Sequence, residues 1–109
     1  MIPPIYFNVE RARNQLLQEG KVYTIRYPRQ KGITMARHGS YFRFKMLGKV
    51  RITEVMMLDL EYEKLQGTKA VLQKYVTQSG FETVDVWLEN FKRQENHLNE
   101  ILYFVEALK

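Results

Sequence analysis

The sequence predicts an α+β domain: a small, curved, mostly antiparallel β-sheet closed into a pseudo-barrel, with helices covering its ends. Three observations carry that expectation. Segments with a two-residue apolar period alternate with segments of helical period, in the order β-α-β-β-β-α-α-β. The chain has 109 residues, room for one hydrophobic core rather than two, so residues 1–109 read as a single domain. An apolar strand pattern returns after the last helix, where it is free to pair with an early strand.

Each element follows from local residue chemistry. Met1 to Phe7 holds Pro3 and Pro4, so it reads as an edge strand or extended lead-in. Asn8 is a good N-cap, and Val9, Ala12, Leu16 and Leu17 give Val9–Glu19 a helical spacing that Gly20 ends as a C′ residue. Val22 to Tyr27 reads as a strand. Its Tyr23–Ile25–Tyr27 face is expected in the core, with Val22, Thr24 and Arg26 looking outward. Pro28 to Gly39 reads as a loop of about twelve residues, a length at which function or disorder is the usual explanation. Ser40 to Leu47 alternates again, Gly48-Lys49 resembles a hairpin turn, and Lys49 to Leu60 is a strand with its alternation slipping near Met56 and Met57, a bulge signal. Gly67-Thr68 separates it from a helix over Lys69–Ser79, with Ala70, Val71, Tyr75 and Val76 inward, capped by Gly80. A second helix over Thr83–Arg93 turns Val84, Trp87, Leu88 and Phe91 inward. His97 to Leu108 closes the pattern with Leu98, Ile101, Tyr103 and Val105.

Composition removes several function classes. Apolar residues make up 45% of the chain, enough for a core and too many for global disorder. No cysteine is present, which excludes a disulfide scaffold, a thiol nucleophile and thiolate metal sites. His38 and His97 stand far apart and form no ligand pattern, so neither metal nor cofactor is expected. No apolar run approaches a membrane span, and no signal-peptide pattern opens the sequence; the expectation is a cytoplasmic protein with no membrane partner.

The net charge of +5 is unevenly placed. Gly20 to Thr53 carries nine Lys or Arg residues and no Asp or Glu, while Met56 to Lys109 carries nine acids against six bases. Basic residues alternating along strands favour a polyanion, nucleic acid before membrane. The plainer reading is a solvated surface with a high isoelectric point.

With the elements in place, the sequence resembles the ASCH domain, a family of the PUA-like barrels associated with RNA. The resemblance lies in a helix followed by Gly20-Lys21 and Thr24-Ile25-Arg26, a basic stretch, the run GKVRITEV from Gly48 to Val55, the Ser79-Gly80-Phe81 segment and the closing ILYFV from Ile101 to Val105. It covers nearly the whole chain in order. The family pattern G-x-K-x-x-E-x-R falls with Lys21 and Arg26 in register, Glu19 at the Gly position and Thr24 in place of the Glu. A branch of small ASCH proteins is similar in carrying Lys and Thr there and acts as an amidohydrolase on 4-N-acetylcytidine. In that branch the Thr is the nucleophile, the Lys activates it and a Glu on a later helix completes the set. The resemblance puts that Glu at or beside Ser79, with Glu82 the nearest acid in sequence.

These readings lead to an RNA- or nucleotide-binding ASCH-type domain acting in RNA metabolism. Lys21 and Arg26 are expected on the floor of a basic cleft. Arg29, Lys31, Arg37, Arg43 and Lys45 are its expected phosphate contacts, and Tyr41 faces the same side for base stacking. Phe42 and Phe44 read as core, and so does Trp87. Each residue also has a plain role: Lys21 as a charge at a helix C-terminus, Thr24 as a β-former, Arg26 as a surface cation. Two alternatives stay open. One is an amidohydrolase of an acylated (deoxy)nucleoside such as 4-N-acetylcytidine, with Lys21 and Thr24 catalytic. The other is a basic protein-interaction module.

Overall fold

The structure is a computed structural model that describes residues 2–58, 64–92 and 100–108. Its elements are β1 (Ile5–Tyr6), α1 (Glu10–Glu19), β2 (Lys21–Arg26), β3 (Gly32–Gly39), β4 (Phe44–Leu58), α2 (Leu65–Leu72), α3 (Val84–Lys92) and β5 (Glu100–Ala107); a 3₁₀ turn, Val76–Gln78, lies between α2 and α3. The order of element types is the one expected, but the strands divide differently: the expected strands over residues 40–47 and 49–60 are one strand, β4, and β3 falls in the expected loop. One five-stranded sheet, β1-β3-β4-β5-β2, curls into a half-barrel. Only β1 and β3 pair in parallel; β3–β4, β4–β5 and β5–β2 are antiparallel. The sheet stays open because its outer strands, β1 and β2, do not pair. Prolines before Ile5 leave β1 two residues long, and α1 links the two edges while packing on β2.

The concave face follows from the pairing register. Val22 lies opposite Val105, which also lies opposite Ile52; Thr24 lies opposite Tyr103, and Ala36 opposite Ile5. Cross-strand partners share a face, so these residues stack into one core, all buried. Phe7, Leu16, Phe81, Trp87 and Leu88 complete it from the lead-in and the helices.

Several elements depart from the sequence expectation. Residues from Gly32 to Gly39 form a strand rather than a loop, paired along its length with β4. The hairpin turn falls at Ser40–Arg43, where the Ser40 amide donates to the Arg43 carbonyl at 2.7 Å. Gly48 sits inside β4, at a bulge where the register slips between Ala36 and Arg37; its φ of 127° suits glycine and kinks the strand instead of reversing it. The second expected irregularity is present, between Glu54 and Met56. Asn8 does not cap α1. Its side-chain amide donates to the Gly39 carbonyl at 2.8 Å and its oxygen accepts from the Gly39 amide at 2.7 Å, so it extends the β1–β3 edge, and Val9 takes the N-cap position.

The helices shift too. Gly67-Thr68 lies within α2, which turns Leu72 inward and leaves Ala70 exposed. Gly80, at φ 90°, lets the chain after the 3₁₀ turn pass against the first turn of α1; a Cβ there would meet the Arg11 carbonyl. Val84, Trp87 and Leu88 are buried as the helical period indicates. His97, Leu98, Leu60 and the Phe91 side chain lie outside the described residues. Among the described residues, no helix is long and apolar enough to cross a membrane.

Candidate functional site

β2 is covered on both faces, and that decides where its polar residues go. Val22, Thr24 and Ile25 are all buried, so burial does not alternate as it would in a half-solvated strand. On one face Tyr23 meets Tyr75 at 4.8 Å and Phe104 at 4.9 Å between ring centroids. On the other, Val22 and Thr24 enter the concave core, and Arg26 lies at its rim. The expected core face Tyr23–Ile25–Tyr27 is therefore half right: Ile25 is buried, Tyr23 half-buried and Tyr27 exposed, while Val22 and Thr24, expected outward, are buried.

Beside Arg26 the structure opens a cavity of about 180 Å³. Thr24, Ile25 and Arg26 form one wall. Phe7, Asn8, Val9 and Ala12, from the end of the lead-in and the start of α1, form a second. Phe81, Trp87 and Asn90 form a third. The lining mixes aromatic rings with Asn8, Thr24, Arg26 and Asn90, so polar and apolar surface face this partly open cavity in nearly equal parts.

Arg26 dominates its electrostatics. The Arg26 Nε donates to the Thr24 hydroxyl oxygen at 3.0 Å, and the guanidinium carbon stands 5.0 Å from the centre of the Phe7 ring. Among the described residues, neither Nη nitrogen has a hydrogen-bond partner and no carboxylate pairs with Arg26. Burial, then the nearby charge of Arg29, pulls the Arg26 pKa down to about 10. Arg29 is also lowered by burial, with Tyr103 opposing. Its amide donates to the Tyr103 hydroxyl at 2.9 Å and its Nη2 to the Pro3 carbonyl at 2.6 Å, which anchors it beside the lead-in. Even at a pKa of about 10, Arg26 is a cation at neutral pH, held partly out of water with open donors.

The structure brings together only some of the residues singled out from sequence. Thr24 and Arg26 share the cavity. Lys21 lies on the opposite face of β2 by strand parity and is exposed, so the expected floor of Lys21 and Arg26 does not form. Ser79, where the sequence resemblance leads one to expect a Glu, is fully buried. Its hydroxyl donates to the Val76 carbonyl at 2.7 Å and accepts from the Phe81 amide at 3.0 Å, the work of a turn. Glu82 is exposed and faces Arg11 at 3.8 Å. Lys31 pairs with Glu54 at 3.3 Å. Arg37 covers the Phe44 ring at 3.8 Å, and Tyr41, Arg43 and Lys45 stand exposed around the β3–β4 turn. Phe42 and Phe44, expected in the core, are also exposed there, because that end of the hairpin lies outside the core of described residues.

Phe7, Asn8 and Asn90 carry no sequence signal that marks them as cavity walls. Trp87 and Phe81 read as core and are core; the period of α3 gives their burial but not the opening along their edge. No family model, curated protein or solved structure matches this chain significantly.

Proposed function

We propose that the protein is a binding module for a nucleotide, or for a nucleotide unit of RNA, and that the cavity beside Arg26 receives it. One observation carries the reading: a half-buried arginine, unanswered by any carboxylate among the described residues, lines a cavity whose walls include aromatic rings and polar side chains. Keeping such a charge partly desolvated is costly unless an anion completes it. A guanidinium fork matches a phosphate or carboxylate geometrically, and the aromatic side chains in the lining suit a planar ring. The start of α1 lines the same cavity, where a helix N-terminus favours negative charge. An ASCH-type, PUA-like domain is the family reading we favour; the element order, the curled sheet and the register of Thr24 and Arg26 in the quoted motif support it. The hydrolase alternative is the weaker one, since Thr24 has neither Lys21 nor a carboxylate beside it among the described residues.

Trp87 is the single tryptophan and a wall of the cavity, so its fluorescence reports occupancy directly. Titration with nucleoside monophosphates, the parent nucleosides and inorganic phosphate is expected to give saturable changes, strongest for the monophosphates. Arg26→Ala should weaken the monophosphates by about 10- to 150-fold, the range for a lost charge-assisted hydrogen bond, and the parent nucleosides far less. The free guanidinium loses its proton near pH 10, whereas the anion-bound one holds it more tightly. Affinity should therefore be flat from neutral pH and fall as pH rises through about 10. Absence of binding by every member of the series would refute the reading.

A further inference from the structure

We infer that the tip of the β3–β4 hairpin is a second contact surface, one that lays a single-stranded nucleic acid along the edge of the sheet away from the Arg26 cavity. The inference rests on the nucleotide-binding reading above and extends it from one unit to a strand.

Exposure is the first observation. Phe42 is 91% and Tyr41 71% exposed, and Phe44, next on the strand, is 42% exposed. These rings do not hang from a slack loop. The Ser40 amide and the Arg43 carbonyl close the turn at 2.7 Å, and the Ser40 hydroxyl accepts from the Arg43 amide at 3.2 Å. Tyr41 and Phe42 meet edge to face with centroids 5.3 Å apart. Two aromatic rings held in water by a formed turn bury nothing for the fold, so their presence calls for something outside it.

Arg37 is the second observation. Its guanidinium lies over Phe44 at 3.8 Å, its Nη1 reaches the Tyr6 hydroxyl only at 3.4 Å, and its Nε is buried without a hydrogen-bond partner. This flat cation is stacked and oriented with donors to spare. Charge is the third. Lys31 and Arg51 have acid partners in Glu54 and Glu106, whereas Arg37, Arg43 and Lys45 face no carboxylate among the described residues. The fourth is continuity: Asn8 lines the cavity and holds Gly39, the last residue of β3, by two hydrogen bonds, so the hairpin root and the cavity rim are one piece.

Aromatic faces interleaved with cations suit a single strand, whose bases stack on rings while its phosphates meet the guanidinium and ammonium groups. An acidic protein would use the charges and leave the tip rings unexplained. A membrane wedge would bury the tip rings and keep its cations at its base; the vesicles below test for it.

The test compares a mononucleotide, a mixed-sequence octaribonucleotide, the matching octadeoxyribonucleotide and anionic phosphatidylserine vesicles against three proteins: wild type, the double variant Tyr41→Ser with Phe42→Ser, and Arg26→Ala. The octamers should bind wild type at least about tenfold more tightly than the mononucleotide, with affinity falling as salt rises. The double variant should keep mononucleotide affinity and lose the octamer advantage; Arg26→Ala should weaken both. The ribo- and deoxyribo-octamers separate a strand read through stacking and phosphate alone from one read through its 2′-hydroxyls, and either supports the contact. Equal octamer affinity in wild type and double variant overturns the inference, as does vesicle binding that depends on Tyr41 and Phe42 without octamer binding. Octamer binding lost in the double variant, with no mononucleotide binding by wild type, refutes the cavity reading and leaves the hairpin contact standing.

Discussion

Two halves of one strand teach most about this molecule. In β4, Val50 and Ile52 are buried while Arg51 between them is exposed, the alternation of a strand with one covered face. Six residues earlier in the same strand, Phe44, Lys45 and Met46 are all exposed, apolar and charged alike. The difference lies in the neighbours. From Val50 onward β4 pairs with β5 as well as β3, and the curled sheet carries a core on its concave side. Before Val50 it pairs with β3 alone, and at Phe44 and Lys45, past the end of β1, the two strands form a ribbon outside the core. Such a ribbon is marginal by itself. Here the β1 edge and the Asn8–Gly39 hydrogen bonds hold its root. The covered half makes the protein stable, and the uncovered half is available to something else.

The largest effect that tests this contrast belongs to the covered half. Trp87 is 3% exposed, sits in the core and walls the cavity. Trp87→Ala should cost about 3–5 kcal/mol by urea unfolding, since the hole left by an indole cannot close against a curled sheet. A loss under about 1 kcal/mol would mean that the helices do not bury this face as described.

The same contrast explains which features the sequence discloses. Periodicity reports burial only where a second layer exists. It works for α3, where Val84, Trp87 and Leu88 are inward, and for β5, where Ile101, Tyr103 and Val105 fill the concave face. It fails for Phe42 and Phe44, whose apolar alternation promises a core that the ribbon does not have. It fails differently in β2: with both faces covered, Thr24 and Ile25 are both buried, and choosing one face misplaces Val22 and Thr24. Glycines mislead at Gly48, where a positive φ serves a bulge and not a turn. For the site, the Thr24–Arg26 spacing puts both residues on one face, as strand parity requires, and the same parity removes Lys21. The remaining cavity walls come from three separate elements, and only the tertiary fold brings them together.

A middle-sized effect of opposite sign comes from Arg26. In the free protein this cation is partly desolvated and unpaired by acid among the described residues, and its lowered pKa expresses the same cost. Arg26→Met keeps the stem beside Phe7 and removes the charge. The free protein should gain about 1 kcal/mol, discounted for the solvent that still reaches the group, or roughly 4 °C in melting temperature. Binding of monophosphates should be lost in the same variant, so stability and function move apart at one residue. A variant that is less stable than wild type would show that Arg26 is satisfied within the fold, and that its donors are not held open for a ligand.

The smallest effect is the sharpest test of the uncovered half. Phe42 is the most exposed large apolar side chain among the described residues, with its ring set against Tyr41 and no core behind it. Phe42→Ser exchanges an aromatic ring for a hydroxyl, a substitution that costs several kcal/mol wherever the ring is buried. At 91% exposure almost no apolar area is returned to water, and the turn hydrogen bonds of Ser40 and Arg43 involve no Phe42 side-chain atom. The expected change in unfolding free energy is within about 0.5 kcal/mol, the usual size for surface substitutions. Urea unfolding of the variant beside Trp87→Ala measures both halves on one scale. A loss of about 2 kcal/mol at Phe42 would mean that the ring is covered in solution, by the hairpin folding back or by a second copy of the chain. Repeating the measurement over a range of protein concentrations separates these, because only association makes the midpoint rise with concentration. A neutral result leaves Phe42 as a side chain that the fold carries without using, which is the property a contact surface requires.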